Sequence, residues 1–334
     1  MAMNKQERVY AAMEGRPVDS VPLGLWRHFH RQDQTPAGLA SATLAFYNKY
    51  NFDLIKLTPS DFYAIEDWGA NIVTPKDDDH PPQLKKPVIN KPEDWRQLST
   101  LNPRDGSYGQ VLAAIKLVTD QLGEKDAPVL MTLFSPLTLA YKLASDKLFE
   151  HLRTHPTDVH IGLATIAETT SRFADATIEA GADGIFFVSE LSRTDLLTAE
   201  MCQTFVICYD LIALERVKSQ PVPLVLHLNG ANPYFNTVNQ YPVHAVSWQN
   251  RDTRPTLTEA LSLTDKTLMA GLNGSMLTHG NPHEIEAHIR KVIRQIGGLR
   301  LILAPTDFVP TDAPLENFQA IADTDRSLTT ERED

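Results

Sequence analysis

The sequence predicts an α/β fold, a single (β/α)8 barrel of the TIM type spanning residues 1–334. Eight short apolar segments recur along the chain, and they read as strands buried on both faces of a parallel sheet. Stretches with helical periodicity separate them, as crossover helices do. No G-x-G-x-x-G follows the first segment and no G-x-x-x-x-G-K-[ST] occurs anywhere, which takes support from an open nucleotide-binding sheet.

In order, residues 4–14 read as a helix stopped by Gly15 and Pro17. Residues 21–26 follow as the first strand, Thr35–Tyr50 as a helix and 52–57 as the second strand. Residues 69–92 are rich in Pro, Lys and Asp and predict a surface excursion, with a hairpin from Asn71–Thr74 and Lys86–Asn90. The run Asp77–Asp79 inside it lacks EF-hand spacing and reads as a solvated turn. A helix at 107–122 leads to a strand at 127–134, then to helices at 137–152 and 157–181, the latter stopped by Gly181. Strands at 184–188, 223–227, 244–248, 267–271 and 301–304 complete the eight. Helices at 196–219, 282–295 and 314–323 are the clearest late ones, and the polar tail 324–334 is expected to fray.

Composition excludes several classes. The net charge of −11 argues against nucleic acid and anionic membrane as partners. No apolar run reaches the ~20 residues that span a bilayer. The opening M-A-M-N-K-Q-E-R has no apolar core of a secretory signal, so a cytoplasmic location is expected. Cys202 and Cys208, six apart in a helical pattern, imply neither a disulfide framework nor a catalytic thiol.

The polar residues of a barrel that do chemistry gather at the C-terminal strand ends. After the first strand stand Arg27, His28, His30 and Arg31. The two arginines are four apart, so a helical turn puts both guanidiniums on one side, a pair suited to carboxylates. A surface turn with arginines paired to Asp or Glu is the alternative. Asp61 follows the second strand, and Ser189 and Glu190 the fourth. His227 and Asn229 end the fifth, Arg251 and Asp252 follow the sixth, and Asp307 follows the eighth. One His with an Asn and an Asp is a poor zinc donor set, so no metal is expected. G-x-S-x-G and helical H-E-x-x-H are both missing.

These residues carry a resemblance. N-K-Q-E-R-V-Y-A-A-M-E-G-R-P, R-H-F-H-R with Arg27 and Arg31, and Ser60-Asp61-Phe62 come first. Phe187-Val188-Ser189, V-S-W-Q-N-R-D-T-R and M-A-G-L-N-G follow. In order and spacing the chain resembles, from about Asn4 to Ala322, the uroporphyrinogen decarboxylase family and its corrinoid-dependent methyltransferase relatives. The resemblance implies cofactor-free removal of CO2 from acetate side chains of a porphyrinogen-like polycarboxylate. In that reading Asp61 stabilises a cationic pyrrole and Arg27 and Arg31 clamp carboxylates. Ser189, Tyr141, His28, His30 and His227 contact substrate. A homodimer is expected by analogy. The pattern departs from the family at R-H-F-H-R-Q and at Thr306, where a histidine is usual. It departs again at Ser247, which replaces an Asp, and at Tyr141, which lies one residue early. The methyltransferase branch holds zinc through His-x-Cys and a later Cys, where this chain has His227-Leu228-Asn229 and Asp307. Methyl transfer is therefore the alternative function, and non-catalytic binding of an anionic small molecule a second.

Overall fold

In the computed structural model, which describes residues 2–123, 127–250, 253–324 and 326, seven strands pair in parallel in chain order. They are β1 (Ile55–Leu57), β4 (Val129–Phe134), β5 (Gly184–Ser189), β6 (Leu224–Leu228), β7 (Ala245–Trp248), β8 (Thr267–Leu272) and β9 (Leu301–Pro305). Every residue of these strands is buried, as their mostly apolar runs predict. A two-stranded antiparallel ribbon, β2 (Ile72–Val73) with β3 (Gln83–Leu84), projects between β1 and β4.

The expected first strand is reduced to two isolated parallel bridges, Leu23 to Leu303 and Gly24 to Leu54. The reason lies in its donors. Pro22 has no N–H, and the Leu23 N–H is taken by the Asp53 carboxylate at 2.8 Å rather than by a strand. The segment still touches both sheet edges. Gly24 N donates to Leu303 O at 2.9 Å, and Asp53 N to Leu23 O at 2.8 Å. A side chain on Gly24 would stand 2.9 Å from Leu54 Cγ, so this approach needs glycine. The expectation of eight regular strands is thus corrected to a seven-stranded curled sheet with a bridging segment across its edges.

Other elements shift for local reasons. The second arm of the ribbon lies ahead of the expected 86–90, because Val88 N and Ile89 N both donate to Leu143 O and dock that stretch on a helix. The helix expected over 137–152 is two, Pro136–Ala144 and Lys147–Thr154, parted at Ser145 with φ +51°. The helix expected from 196 begins at Ala199 and widens to a π-helical turn over Cys202–Ile207. Capping boxes start the helices Lys5–Met13 (Asn4 with Glu7) and Pro282–Ile296 (Asn281 with Glu284). Arg251, Asp252 and most of the tail, residues 325 and 327–334, lie outside the described residues. Among the described residues no helix is long and apolar enough to cross a membrane.

At the N-terminal end of the sheet a buried acid is paired. Asp53, 2% exposed, accepts from Arg8 at 2.7 Å and from Arg326 at 3.3 Å. Arg8 also grips Asp19, whose carboxyl the guanidinium holds at about 2.

Candidate functional site

The inward positions of the strands carry most of the site's floor. Lys56 in β1, Thr132 in β4, Phe186 in β5 and His227 in β6 face a cavity of about 290 Å³ at the C-terminal strand ends. Trp26 completes the floor. Above it stand His28, Asp61, Lys142, Glu190, Asn229 and Asp307, with Phe134 and Phe308 as an aromatic wall.

Lys56 sits 4.7 Å from the Phe186 ring centroid and 5.3 Å from that of Trp26, with Nζ 3.3 Å from Thr58 Oγ1. Burial pulls its amine down to about 7, against the pull of Asp307 and Asp61. It therefore gains and loses its proton near neutrality. His227 stacks on Phe186, and its Nδ1 lies 3.0 Å from Ser247 Oγ. Burial drives His227 to about 3 and His28 to about 4, so both imidazoles are neutral at pH 7. Burial also lifts Asp307 to about 6. At Asp61 burial is outweighed by His28, Lys142, His30 and Lys56, and its carboxyl lies below its ordinary value. Lys142 pairs with Glu190 at 3.4 Å and lies over Phe134. Two amines thus face three carboxylates. The arrangement can seat a small ligand against an aromatic wall, take its proton on Lys56 and orient it with neutral imidazoles.

Of the residues singled out from sequence, Asp61, His28 and His227 line this cavity, and His30 stacks behind His28 at 5.1 Å. Arg27 and Arg31 do not. The chain turns after Phe29, whose carbonyl accepts from both Gln32 N and Asp33 N, and no helix forms to align the arginines. Arg27 lies over the Phe29 ring, and Arg31 is exposed. Tyr141 donates to Asp146 at 3.1 Å away from the cavity lining, and Ser189 Oγ is buried without a partner. Lys56 and Lys142 went unnoticed in the sequence. A lysine inside the run F-D-L-I-K-L was the available signal for the first.

A zinc ion held by thiolates does not fit the cavity. Cys202 is buried beside Ser192 and Cys208 is exposed on the same helical stretch, and neither lines the site. Asn229 Oδ1 accepts from Gln249, and Asp307 shares its field with Lys56. No step is derived through such an ion.

The sequence model of the family described as uroporphyrinogen decarboxylase (URO-D) matches residues 4–328. The methylcobamide:CoM methyltransferase MtbA of Methanosarcina acetivorans is 23% identical over 95% of this chain and 96% of its own. The methylcobamide:CoM methyltransferase MtaA of Methanosarcina barkeri is 27% identical over 59% of this chain and 62% of its own. In fold, a methyltransferase from Methanosarcina mazei superimposes with a TM-score of 0.84 at 21% identity, over 96% of this chain and 97% of that one. The reading as a carboxy-lyase of porphyrin biosynthesis is therefore corrected. The relatives matched over most of their length are methyltransferases. Physically, a polycarboxylate would meet three carboxylates against two lysines, and no arginine among the described residues of the lining.

Proposed function

The chain belongs to the uroporphyrinogen decarboxylase family, and from that premise we propose that it is a methyltransferase. It moves a methyl group from a methylcobamide-type donor to a small acceptor seated over Lys56. The observation that carries this reading is the Lys56 amine on the cavity floor, held near neutrality and flanked by two aromatic faces. The names of the relatives supply the donor class.

The acceptor is a thiol or a similar nucleophile. Its S–H proton passes to the neutral Lys56 amine, which leaves a thiolate. Sulfur then forms the new S–CH3 bond while the carbon–cobalt bond of the donor breaks, and that electron pair stays with cobalt. The Lys56 cation, with Asp61 and Asp307 close by, returns its proton to solvent at product release. Phe134, Phe186 and Phe308 keep the apolar part of the acceptor dry. The bridging segment 21–25 serves as the eighth stave that closes the barrel around this floor.

The test is anaerobic incubation of the purified protein with methylcobalamin and 2-mercaptoethanesulfonate, followed by visible absorbance and mass spectrometry of the thiol. Methyl thioether formed with loss of methylcobalamin, and lost in Lys56→Met, supports the reading. Folded protein that consumes no methylcobalamin with thiol, amine or hydroxyl acceptors sinks it.

A further inference from the structure

Outside the floor of the cavity, the turn after the bridging segment gathers three ligand-type side chains. Among the described residues, His28, His30 and Asp33 are the group of histidine, cysteine or carboxylate side chains whose ligand atoms all lie within 4.8 Å of one another. We propose that His28, His30 and Asp33 bind one divalent transition-metal ion at the rim of the cavity.

The first support is unmet bonding. Buried polar atoms without a partner are rare in folded proteins, and each is costly. Five such side-chain atoms occur among the described residues, and three of them are here: His28 Nδ1, His30 Nδ1 and Asp33 Oδ2. No cation pairs with Asp33 among the described residues, so its carboxylate is buried without a counter-charge. An ion held by these three side chains would give a partner to such atoms.

The second is preorganisation. The His28 and His30 rings stack 5.1 Å apart and 12° from parallel, so one ring must swing for both in-plane lone pairs to meet on one ion. Gln34 Nε2 holds the turn by donating to His30 O at 3.0 Å and to Asp33 Oδ1 at 2.6 Å, which leaves Oδ2 for a ligand. Arg31 N donates to Asp78 Oδ1 at 2.9 Å and ties the turn to the 75–82 excursion. On the far side of the His28 ring from Nδ1, Nε2 faces Asp61 Oδ1 at 3.7 Å. A carboxylate thus lies on the outer side of the ring, just beyond hydrogen-bond length. Two donors on one tetrahedral ion, each ~2.1 Å from it, stand about 3.4 Å apart, so the cluster must close by up to about 1.4 Å through side-chain rotation.

The donor set names the ligand class. Two imidazoles and one carboxylate, without sulfur, suit zinc, cobalt(II), iron(II) or manganese(II), with coordination positions left open. His28 also lines the cavity, so the ion's ligand shell adjoins the cavity wall. The site is separate from His227, Asn229 and Asp307, and it does not rest on methyl transfer.

The experiment is a titration of the full-length, metal-stripped protein with cobalt(II), read by ligand-field absorption and calorimetry. One cobalt per chain is expected, with binding weakened at least about tenfold in His30→Ala and in Asp33→Asn and unchanged in His227→Ala. No bound cobalt in the unaltered protein overturns the proposal. So does binding lost in His227→Ala and kept in His30→Ala. Cobalt-edge X-ray absorption of the unaltered protein needs no variant: two imidazole ligands are expected, and none or one refutes the assignment.

Discussion

Asp53, buried, and Asp33, half-buried, are two acids at opposite ends of the same sheet, and they are treated oppositely. Asp53 meets two guanidiniums and the Leu23 N–H, so its charge is answered on both oxygens. Asp33 keeps one oxygen without a partner, and its burial lifts the carboxyl to about 7. A third acid lies between these extremes. Asp210 is fully buried and accepts only neutral hydroxyls, Ser135 at 2.5 Å and Tyr241 at 2.8 Å. The N-terminal end of the sheet is saturated for stability, whereas the mouth leaves groups unsatisfied where a ligand can complete them.

The sharpest way to break this comparison is to remove each acid. Asp53→Asn should lower the unfolding free energy in urea by about 2–3 kcal/mol, because Arg326 loses its carboxylate, Arg8 keeps only Asp19, and the Leu23 N–H loses a charged acceptor. Asp33→Asn in metal-free protein should cost nothing or stabilise. Equal losses in the two variants would end the distinction.

Next in size is Lys56. Lys56→Met should cut methyl transfer about a hundredfold while leaving stability unreduced, since it removes a buried charge. The rate in the unaltered protein should rise with pH through about 7, as the amine sheds its proton. For stability the sign is fixed by the depressed amine. Its destabilisation is absent above its ordinary 10.5 and grows as pH falls toward 7. The difference in stability between Lys56→Met and the unaltered protein should therefore widen as pH drops across that window.

Asp210 gives the opposite slope. Its folded value, raised to about 7 by burial against the help of Ser135 and Tyr241, means stability is lost as pH climbs from about 4 to 7. Asp210→Asn should flatten that part of the curve by at least about 1 kcal/mol, read from urea midpoints. The smallest effect belongs to Arg31→Ala. An exposed side chain without a described ion pair should move stability by less than about 0.5 kcal/mol.

Much of this geometry was legible in the sequence. The alternation of apolar runs located all seven strands and the bridging segment, because fully buried parallel strands leave little room for polar residues. Reading strand ends found Asp61, Glu190, His227, Asn229 and Asp307 in the cavity lining. Two kinds of residue escaped. Arg27 and Arg31 were read through helical spacing, but the Phe29 carbonyl closes a turn first, and a turn does not conserve an i, i+4 face. Lys56 was hidden by its neighbours, since a strand position shows its polarity only when its inward face is known. The His28–His30–Asp33 cluster depends on how that same turn folds, and spacing alone does not reveal it. The choice between decarboxylation and methyl transfer was beyond any single motif. The two branches share the barrel, and this chain carries neither the histidine of one nor the thiolates of the other.

The bridging segment also sets an order of events during synthesis. Gly24 meets Leu54 early, but its other edge is Leu303, and Trp26 Nε1 donates to the Asp307 carbonyl 281 residues away. Arg326 then reaches back 305 residues to the Val21 carbonyl. The first stave made is therefore the last to be fully paired. A nascent chain must hold an open, apolar sheet edge until residues 303–326 have emerged. Contacts of such range are slow to form, so refolding is expected to be limited by closure rather than by helix formation.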